Sequence, residues 1–152
     1  MLNWQNQAQV ALQEYGPDSG RTKPVSANQI LVVDDEPMIQ RLIGRVLSTE
    51  GHSVDSAGDG ETAWRMLQGK HYDCIIMDWK MPGLTGRELY RLIEDSDRDM
   101  ANKCLFISGH AANSEVEGFI THNRNQILLK PFPIEQLKTV VGILLEANQA
   151  RP

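Results

Sequence analysis

The sequence lacks the features that direct a protein into a membrane, through a secretion pathway or onto nucleic acid. No apolar run approaches the roughly 18 residues of a membrane span. The amino-terminus has neither the basic start nor the apolar stretch of a signal peptide. A net charge of −5 argues against tight contact with a phosphate backbone. We therefore expect a cytoplasmic protein without membrane contact.

Cysteine is also scarce, with only two residues of this type in the chain. Cys74 and Cys104 both lie inside strand-like runs, so we expect reduced thiols in the core rather than a disulfide. The 152 residues are 41% hydrophobic and 23% charged, as in an ordinary globular protein. This length predicts one domain and a short extension.

The first 28 residues form a distinct amino-terminal extension. Helical spacing of Trp4, Ala8, Leu12 and Tyr15 allows one helix over residues 2–15. The sequence Gly16-Pro17-Asp18-Ser19-Gly20 would end that helix, and a polar linker follows. We therefore divide the chain into an extension (1–28), a domain (29–147) and a tail (148–152).

From residue 29 onward, short apolar runs alternate with amphipathic segments. Strands are predicted at Ile30–Val33, Ser53–Ser56, Tyr72–Met77, Lys103–Ile107 and Ile127–Leu129. Each is followed by a segment with helical spacing, so the pattern is (βα)5. Such a repeat predicts a three-layer, doubly wound α/β fold, in which helices cover both faces of a five-stranded parallel sheet.

Several helices carry clear start signals. Pro37 suits the first turn of a helix whose apolar stripe begins at Ile39. Thr85-Gly86-Arg87-Glu88 and Ser114-Glu115-Val116-Glu117 have the pattern of a capping box. The inward faces are predicted to hold Leu89, Leu92 and Ile93 in the first of these two helices and Val116, Phe119 and Ile120 in the second.

Acidic residues stand at the carboxyl ends of two predicted strands. Asp34 and Asp35 follow the first strand, and Asp78 follows the third. If these strands are parallel neighbours, the three carboxylates meet at one edge of the sheet. Like charges about 4 Å apart repel by roughly 4 kcal/mol at an effective dielectric near 20. A bound Mg²⁺, which prefers carboxylate ligands and usually handles phosphate, would offset that repulsion.

Two further polar residues end strands: Ser108 ends the fourth and Lys130 the fifth. The ordered set of Asp34-Asp35, Asp78 before Met81-Pro82-Gly83, Ser108 and Lys130-Pro131-Phe132 resembles the receiver domain of two-component response regulators, the CheY-like family. The resemblance covers about Gln29 to Ala147. It implies a flavodoxin-like sheet with strand order 2-1-3-4-5.

The resemblance also implies a role for each residue. Asp78 matches the phosphoryl acceptor, which takes a phosphoryl group from a phosphohistidine. Asp34, Asp35 and Asp78, with the backbone carbonyl of Lys80, match the ligands of Mg²⁺ or Mn²⁺. Lys130, aimed by a cis bond to Pro131, and Ser108 match the groups that contact phosphoryl oxygens. The domain would thus be a regulatory phosphoacceptor, not an enzyme, that assists its own phosphorylation and slow dephosphorylation.

The implied partners are a histidine kinase or a histidine phosphotransfer protein, together with an output partner that the residues do not identify. Because Met1 looks like a native start and the chain stops soon after the last helix, we expect a stand-alone regulator without a DNA-binding domain. The receiver of a hybrid histidine kinase and a homodimer both remain compatible with the sequence. Ile127 stands where the family usually has an aromatic switch residue, so the resemblance leaves the switch mechanism open.

Other interpretations of these residues are weaker. A single aspartate at a strand end is usually a helix cap or a solvated loop residue, and Asp34 or Asp35 could cap the helix at Pro37. A Mg²⁺-dependent phosphatase with an aspartyl-phosphate intermediate would use similar groups. Such enzymes typically carry a second acid two residues after the nucleophile, where this chain has Lys80.

Overall fold

A computed structural model of the chain describes residues 27–109, 115–116, 118–119 and 126–149. The strands are β1 (Gln29–Val33), β2 (Ser53–Ala57), β3 (Cys74–Asp78), β4 (Cys104–Ser108) and β5 (Gln126–Leu129). The helices with described bounds are α1 (Pro37–Thr49), α2 (Gly60–Gly69), α3 (Gly86–Ser96), the short α4 (Arg98–Ala101) and α5 (Ile134–Gln149). Glu115, Val116, Gly118 and Phe119 are also helical.

The five strands form one parallel sheet in the order β2-β1-β3-β4-β5. This order confirms the predicted fold and places β1 beside β3. In the β1–β3 pair Val33 lies opposite Met77, and in the β3–β4 pair Asp78 lies opposite Ile107. Because all strands run the same way, the residues that follow them reach the same edge of the sheet.

Side chains that alternate along the strands fill two cores, one on each face of the sheet. Ile30 and Val32 join the core under α1 and α5, whereas Leu31 and Val33 join the core under α2 and α3. The central strands are buried on both faces, which explains why their sequences are continuously apolar. The three-layer arrangement follows from these two cores.

Several details differ from the predictions. Leu92 is 38% exposed, so its assignment to the inward face of α3 was wrong. Tyr90 takes the inward position instead, together with Leu89 and Ile93. The short helix α4 was not predicted, and it begins where Asp97 accepts hydrogen bonds from the amides of Asp99 and Met100.

Some predictions fall outside the described residues or remain predictions. The helix over 2–15, its linker, and parts of the helix predicted after Ser114, including Ile120, lie outside the described residues. The domain boundaries stay predictions, although α5 continues to Gln149. Among the described residues, no helix is both long enough and apolar enough to cross a bilayer. Cys74 and Cys104 are buried and are not joined in a disulfide, as predicted.

Candidate functional site

The acidic residues after β1 and β3 meet at the carboxyl edge of the sheet. Asp34 and Asp35 follow β1 directly, and Asp78 is the last residue of β3. One carboxylate oxygen from each of the three residues lies within 4.8 Å of the other two. Asp34 and Asp78 are buried, whereas Asp35 is exposed. The sheet therefore creates a cluster of three acids, with one side open to solvent.

Asp34 is the most deeply buried of the three acids, with an exposed fraction of 0%. Its Oδ1 accepts a hydrogen bond from the amide of Glu36 at 2.8 Å, but its Oδ2 accepts none. Burial raises the pKa of Asp34 to about 7, and the hydrogen bond from Glu36 and the charge of Lys130 only partly oppose it. The carboxylate is thus held where its charge is poorly compensated.

The two carboxylate oxygens of Asp78 contact different groups. Its Oδ2 lies 3.3 Å from the Nζ of Lys130, and its Oδ1 accepts a hydrogen bond of 3.4 Å from the amide of Lys80. Burial raises the pKa of Asp78, while Lys130 acts in the opposite direction. Desolvation and the charge of Lys130 thus act in opposite directions on the Asp78 carboxyl group, and desolvation is the larger of the two.

Lys130 projects from the end of β5 into the acidic cluster. Its Nζ lies 3.5 Å from Asp34 Oδ2, 3.2 Å from Glu36 Oε1 and 3.3 Å from Asp78 Oδ2. Burial alone would lower the pKa of Lys130, but the charges of Asp34 and Asp78 and the hydrogen bond to Glu36 outweigh it, so the pKa is raised. The bond from Lys130 to Pro131 is cis. Lys130 is therefore a fixed ammonium charge inside the site.

Ser108 and Lys80 lie at the same edge of the sheet as these acids. Ser108 is buried as the last residue of β4, and its carbonyl accepts a hydrogen bond of 2.8 Å from the amide of Lys130. Lys80 is the second residue after Asp78, and its side chain is exposed. The structure thus brings Asp34, Asp35, Asp78, Lys80, Ser108 and Lys130 to one edge of the sheet.

Glu36 is a member of the site that the sequence analysis did not identify. It precedes Pro37 as the first residue before α1, yet its side chain makes no capping hydrogen bond. Instead its carboxylate pairs with Lys130, 94 residues away in the chain. No spacing rule in the sequence signals this contact. In addition, neither Asp34 nor Asp35 is the capping residue of α1, which removes the simplest alternative role for them.

The loop between β3 and α3 is packed closely against Asp78. A Cβ on Gly86 would overlap the carbonyl oxygen of Asp78, so only glycine fits there. The amide of Gly86 donates to the carbonyl of Trp79 at 3.1 Å, and Thr85 with Glu88 forms the predicted capping box. Gly83 has a φ of +73°, a backbone conformation that favours glycine. These contacts fix the backbone that follows Asp78.

The donor set fits a hard divalent cation. Three carboxylates converge, and one buried oxygen, Asp34 Oδ2, has no hydrogen-bond partner. Oxygen ligands of this kind suit Mg²⁺ and Mn²⁺. A cation on one side of Asp78 and Lys130 on the other would leave room for an anionic group between two positive charges. This arrangement is suited to binding and transferring a phosphoryl group.

Comparison with known proteins points in the same direction. Residues 30–142 match the family model described as the response regulator receiver domain. The chain is 30% identical to the chemotaxis protein CheY of Pseudomonas aeruginosa over 119 residues, which are 78% of this chain and 96% of that protein. It is 33% identical to the sensor protein EvgS of Escherichia coli over 147 residues, 95% of this chain and 12% of that protein.

The fold comparison gives the same result. The response regulator TrrA of Thermotoga maritima, solved in complex with Mg²⁺-BeF, is 31% identical, with a TM-score of 0.69. The match covers 77% of this chain and 98% of that structure. The chain spans only 44% and 11% of the length of two other curated relatives, a transcriptional regulatory protein of Mycobacterium tuberculosis and a hybrid histidine kinase of Dictyostelium discoideum.

Proposed function

This chain belongs to the response regulator receiver domain family, and we propose that Asp78 is the residue on which it carries the phosphoryl group. Receiver domains are the regulatory phosphoacceptors of two-component signalling. The observation that carries the proposal is the position of Asp78, whose Oδ2 lies beside the Nζ of Lys130 while its carboxylate also belongs to the acidic cluster. Asp34 also faces Lys130, at 3.5 Å, but Asp78 is the closer of the two, at 3.3 Å, and it stands at the end of the central strand β3.

The proposed metal site consists of Asp34, Asp35, Asp78 and the backbone carbonyl of Lys80, and it would hold Mg²⁺ or Mn²⁺. The buried Asp34 Oδ2, which accepts no hydrogen bond, and the convergence of three carboxylates support it. A relative at 31% identity that was solved with Mg²⁺-BeF supports it further. When bound, the cation neutralises negative charge on the phosphoryl oxygens and on Asp78.

In the proposed reaction a carboxylate oxygen of Asp78 attacks phosphorus and forms an acyl phosphate. The bond between phosphorus and the donor's imidazole nitrogen breaks, and that nitrogen keeps the electron pair. Lys130 holds one phosphoryl oxygen by its positive charge, and the hydroxyl of Ser108 donates a hydrogen bond to another. In the later hydrolysis, water attacks phosphorus and the bond between phosphorus and the Asp78 oxygen breaks, which returns the free carboxylate and inorganic phosphate. The domain thus also assists its own slow dephosphorylation.

The phosphoryl donor in this proposal is a phosphohistidine on a histidine kinase or a phosphotransfer protein. The match to EvgS leaves about eight residues of the chain outside it, so it includes most of residues 1–28. This coverage favours the receiver of a larger sensor protein over the stand-alone regulator that the sequence analysis expected. Output in this proposal is through a protein contact. The location is cytoplasmic, because Cys74 and Cys104 are buried and are not joined in a disulfide.

The test is labelling by a small radioactive phosphodonor with Mg²⁺. We expect one acid-stable, base-labile label per molecule in the unmodified chain and none in Asp78→Asn. Asp95→Asn is the matched control, because Asp95 is an exposed aspartate on α3. Equal labelling of Asp78→Asn would remove Asp78 from its assigned role. Continuous turnover of the donor, instead of a stoichiometric and slowly decaying label, would favour the phosphatase.

A further inference from the structure

Lys130 contacts one carboxylate, that of Glu36, which has no role in the proposed phosphoryl transfer. Its Nζ faces Asp34, Glu36 and Asp78, and the distance to Glu36 Oε1, 3.2 Å, is the shortest of the three. An ammonium group has three hydrogens to donate. Two of them are donated to Glu36 and Asp78, and Asp34 Oδ2 lies 3.5 Å away without accepting a hydrogen bond. Carboxylates thus surround the ammonium group, although Lys130 must also hold a phosphoryl oxygen in the proposed function.

The three carboxylates differ in their freedom to leave. The side chain of Asp34 is 0% exposed and that of Asp78 is 9% exposed, so neither can turn toward water. The side chain of Glu36 is 33% exposed, the largest exposed fraction among the three carboxylates. It makes no capping hydrogen bond to α1, so its movement would not cost the helix a cap. Glu36 is the carboxylate that can yield its place.

We propose that Glu36 is a positioning residue that occupies the phosphoryl-binding side of Lys130 in the resting protein and must leave before phosphoryl transfer. The inference rests on the proposed function, because it assumes that Lys130 binds the incoming group. Glu36 thereby slows phosphorylation and holds Lys130 in place while no phosphoryl group is bound. Its effect acts through Lys130, not through contact with the reacting atoms.

A simpler explanation must be separated from this one. Glu36 adds a negative charge near the site, and any such charge repels an anionic phosphodonor. Two substitutions distinguish contact from charge. Glu36→Gln removes the charge, whereas Glu36→Asp keeps the charge and shortens the side chain by one methylene. Because aspartate is a strong N-cap residue, the shorter side chain is also drawn toward the amides of α1 and away from Lys130.

The experiment measures the rate of labelling by a small phosphodonor at saturating Mg²⁺ as the donor concentration is varied. Both Glu36→Gln and Glu36→Asp should raise the maximal rate by about two- to five-fold, the range expected from losing one partly exposed ion pair. The same substitutions are made in a Lys130→Met background, where they should change the rate by less than this factor. Beryllium fluoride binding, followed by tryptophan fluorescence, provides a second measurement in which both variants should bind more tightly.

Each other outcome contradicts the inference. A faster Glu36→Gln with an unchanged Glu36→Asp would show that only charge matters. Slower labelling of both variants would show that Glu36 assists Lys130. An equal acceleration in the Lys130→Met background would show that the effect does not act through Lys130. Unchanged rates with label still on Asp78 would refute this inference alone, whereas label that does not require Asp78 would refute the proposed function itself.

Discussion

Asp34 is a residue whose burial in the site costs the folded protein free energy. It is a fully buried carboxyl group with one oxygen that accepts no hydrogen bond, and its pKa is raised to about 7. Removing a charged group from water costs free energy that a partner at 3.5 Å repays only in part. The folded protein therefore tolerates Asp34 at a cost, which a bound cation would remove.

We predict that Asp34→Asn stabilises the protein in metal-free buffer. Since the pKa of Asp34 is higher in the folded than in the unfolded chain, its contribution to stability is full below pH 4 and is lost as the pH rises through about 7. At pH 8 the variant should gain about 1–3 kcal/mol in the free energy of unfolding, and the gain should shrink toward pH 4. Urea unfolding at several pH values measures it.

Addition of Mg²⁺ should stabilise the unmodified chain more than Asp34→Asn and so oppose the advantage of the variant in metal-free buffer. A cation that binds only the folded state stabilises it by mass action, so Mg²⁺ should raise the unfolding temperature of the unmodified chain more than that of Asp34→Asn. Asp95→Asn, outside the cluster, should respond to both pH and Mg²⁺ like the unmodified chain. A variant that loses stability at pH 8 without metal would contradict the account of Asp34.

At the scale of elements, the site depends on how closely α3 approaches the end of β3. Gly86 lies at the first position of α3, where its missing side chain lets the backbone contact Asp78 and Trp79. Gly60, at the start of α2, has Leu84 of the same loop against it. Two helix starts thus clamp the loop that follows Asp78 from either side.

We predict that Gly86→Ala destabilises the protein by about 2 kcal/mol or more, because its Cβ would overlap backbone atoms that cannot yield cheaply. It should also weaken Mg²⁺ binding, since the loop carries Lys80. Gly142→Ala is the matched control: no atom outside its own helix lies within 4 Å of the added Cβ, and it should gain about 0.5–1 kcal/mol. Thermal unfolding and Mg²⁺ titration of both variants test this, and an unperturbed Gly86→Ala would refute the clamp.

Aromatic rings connect the site to the helical segment that contains Phe119. The ring of Trp79, next to Asp78, lies 5.4 Å from Phe106 and 5.0 Å from Phe119, and Tyr90 contacts the latter two. Arg87 on α3 also pairs with Glu115 of that segment. Ile127 packs against the same hydrophobic core that contains Trp79, Tyr90 and Phe106. These rings offer a route for the signal that does not need an aromatic residue at position 127.

We predict that phosphorylation changes the emission of Trp79 and that Phe119→Ala reduces the change. The measurement uses a background with Trp4 and Trp64 replaced by Phe, so that emission reports Trp79 alone. Loss of the Phe119 ring should also cost about 1–2 kcal/mol of stability. Leu92→Ala serves as the control, because Leu92 is an exposed apolar residue on α3. An equal response in Phe119→Ala would show that the rings do not carry the signal.

The elements also show where sequence patterns succeed and fail. Helix starts with a specific chemistry, such as Thr85 with Glu88, were predicted and form. The predicted orientation of Leu92 was wrong because helical spacing alone does not decide between two flanking positions. Successive residues are rotated by about 100° around the helix axis. Leu89 and Ile93 lie near each other, and either Tyr90 or Leu92 can extend their face. Tertiary packing decides for Tyr90, since its ring joins Phe106 and Phe119.

For the whole molecule, the parallel sheet converts positions that are distant in the chain into one site. The sequence predicted that Asp34, Asp78, Ser108 and Lys130 lie at one edge of the sheet because each stands at the carboxyl end of a strand, and the observed parallel sheet has them at that edge. The contact between Glu36 and Lys130 escaped prediction, since it depends on the side-chain reach of a residue in a loop. The pattern of apolar and polar residues in the sequence predicts where strands end. It does not predict which flexible side chains pair with each other.

Direct mapping of the phosphorylated residue tests the central claim most sharply. The chain is incubated with a small phosphodonor and Mg²⁺, then reduced with borohydride, which converts an aspartyl phosphate to homoserine, and its peptides are sequenced by mass spectrometry. The account predicts homoserine at position 78 and at no other aspartate. Homoserine at position 34 or 35, or a phosphoryl group that survives on a serine or histidine, would contradict it.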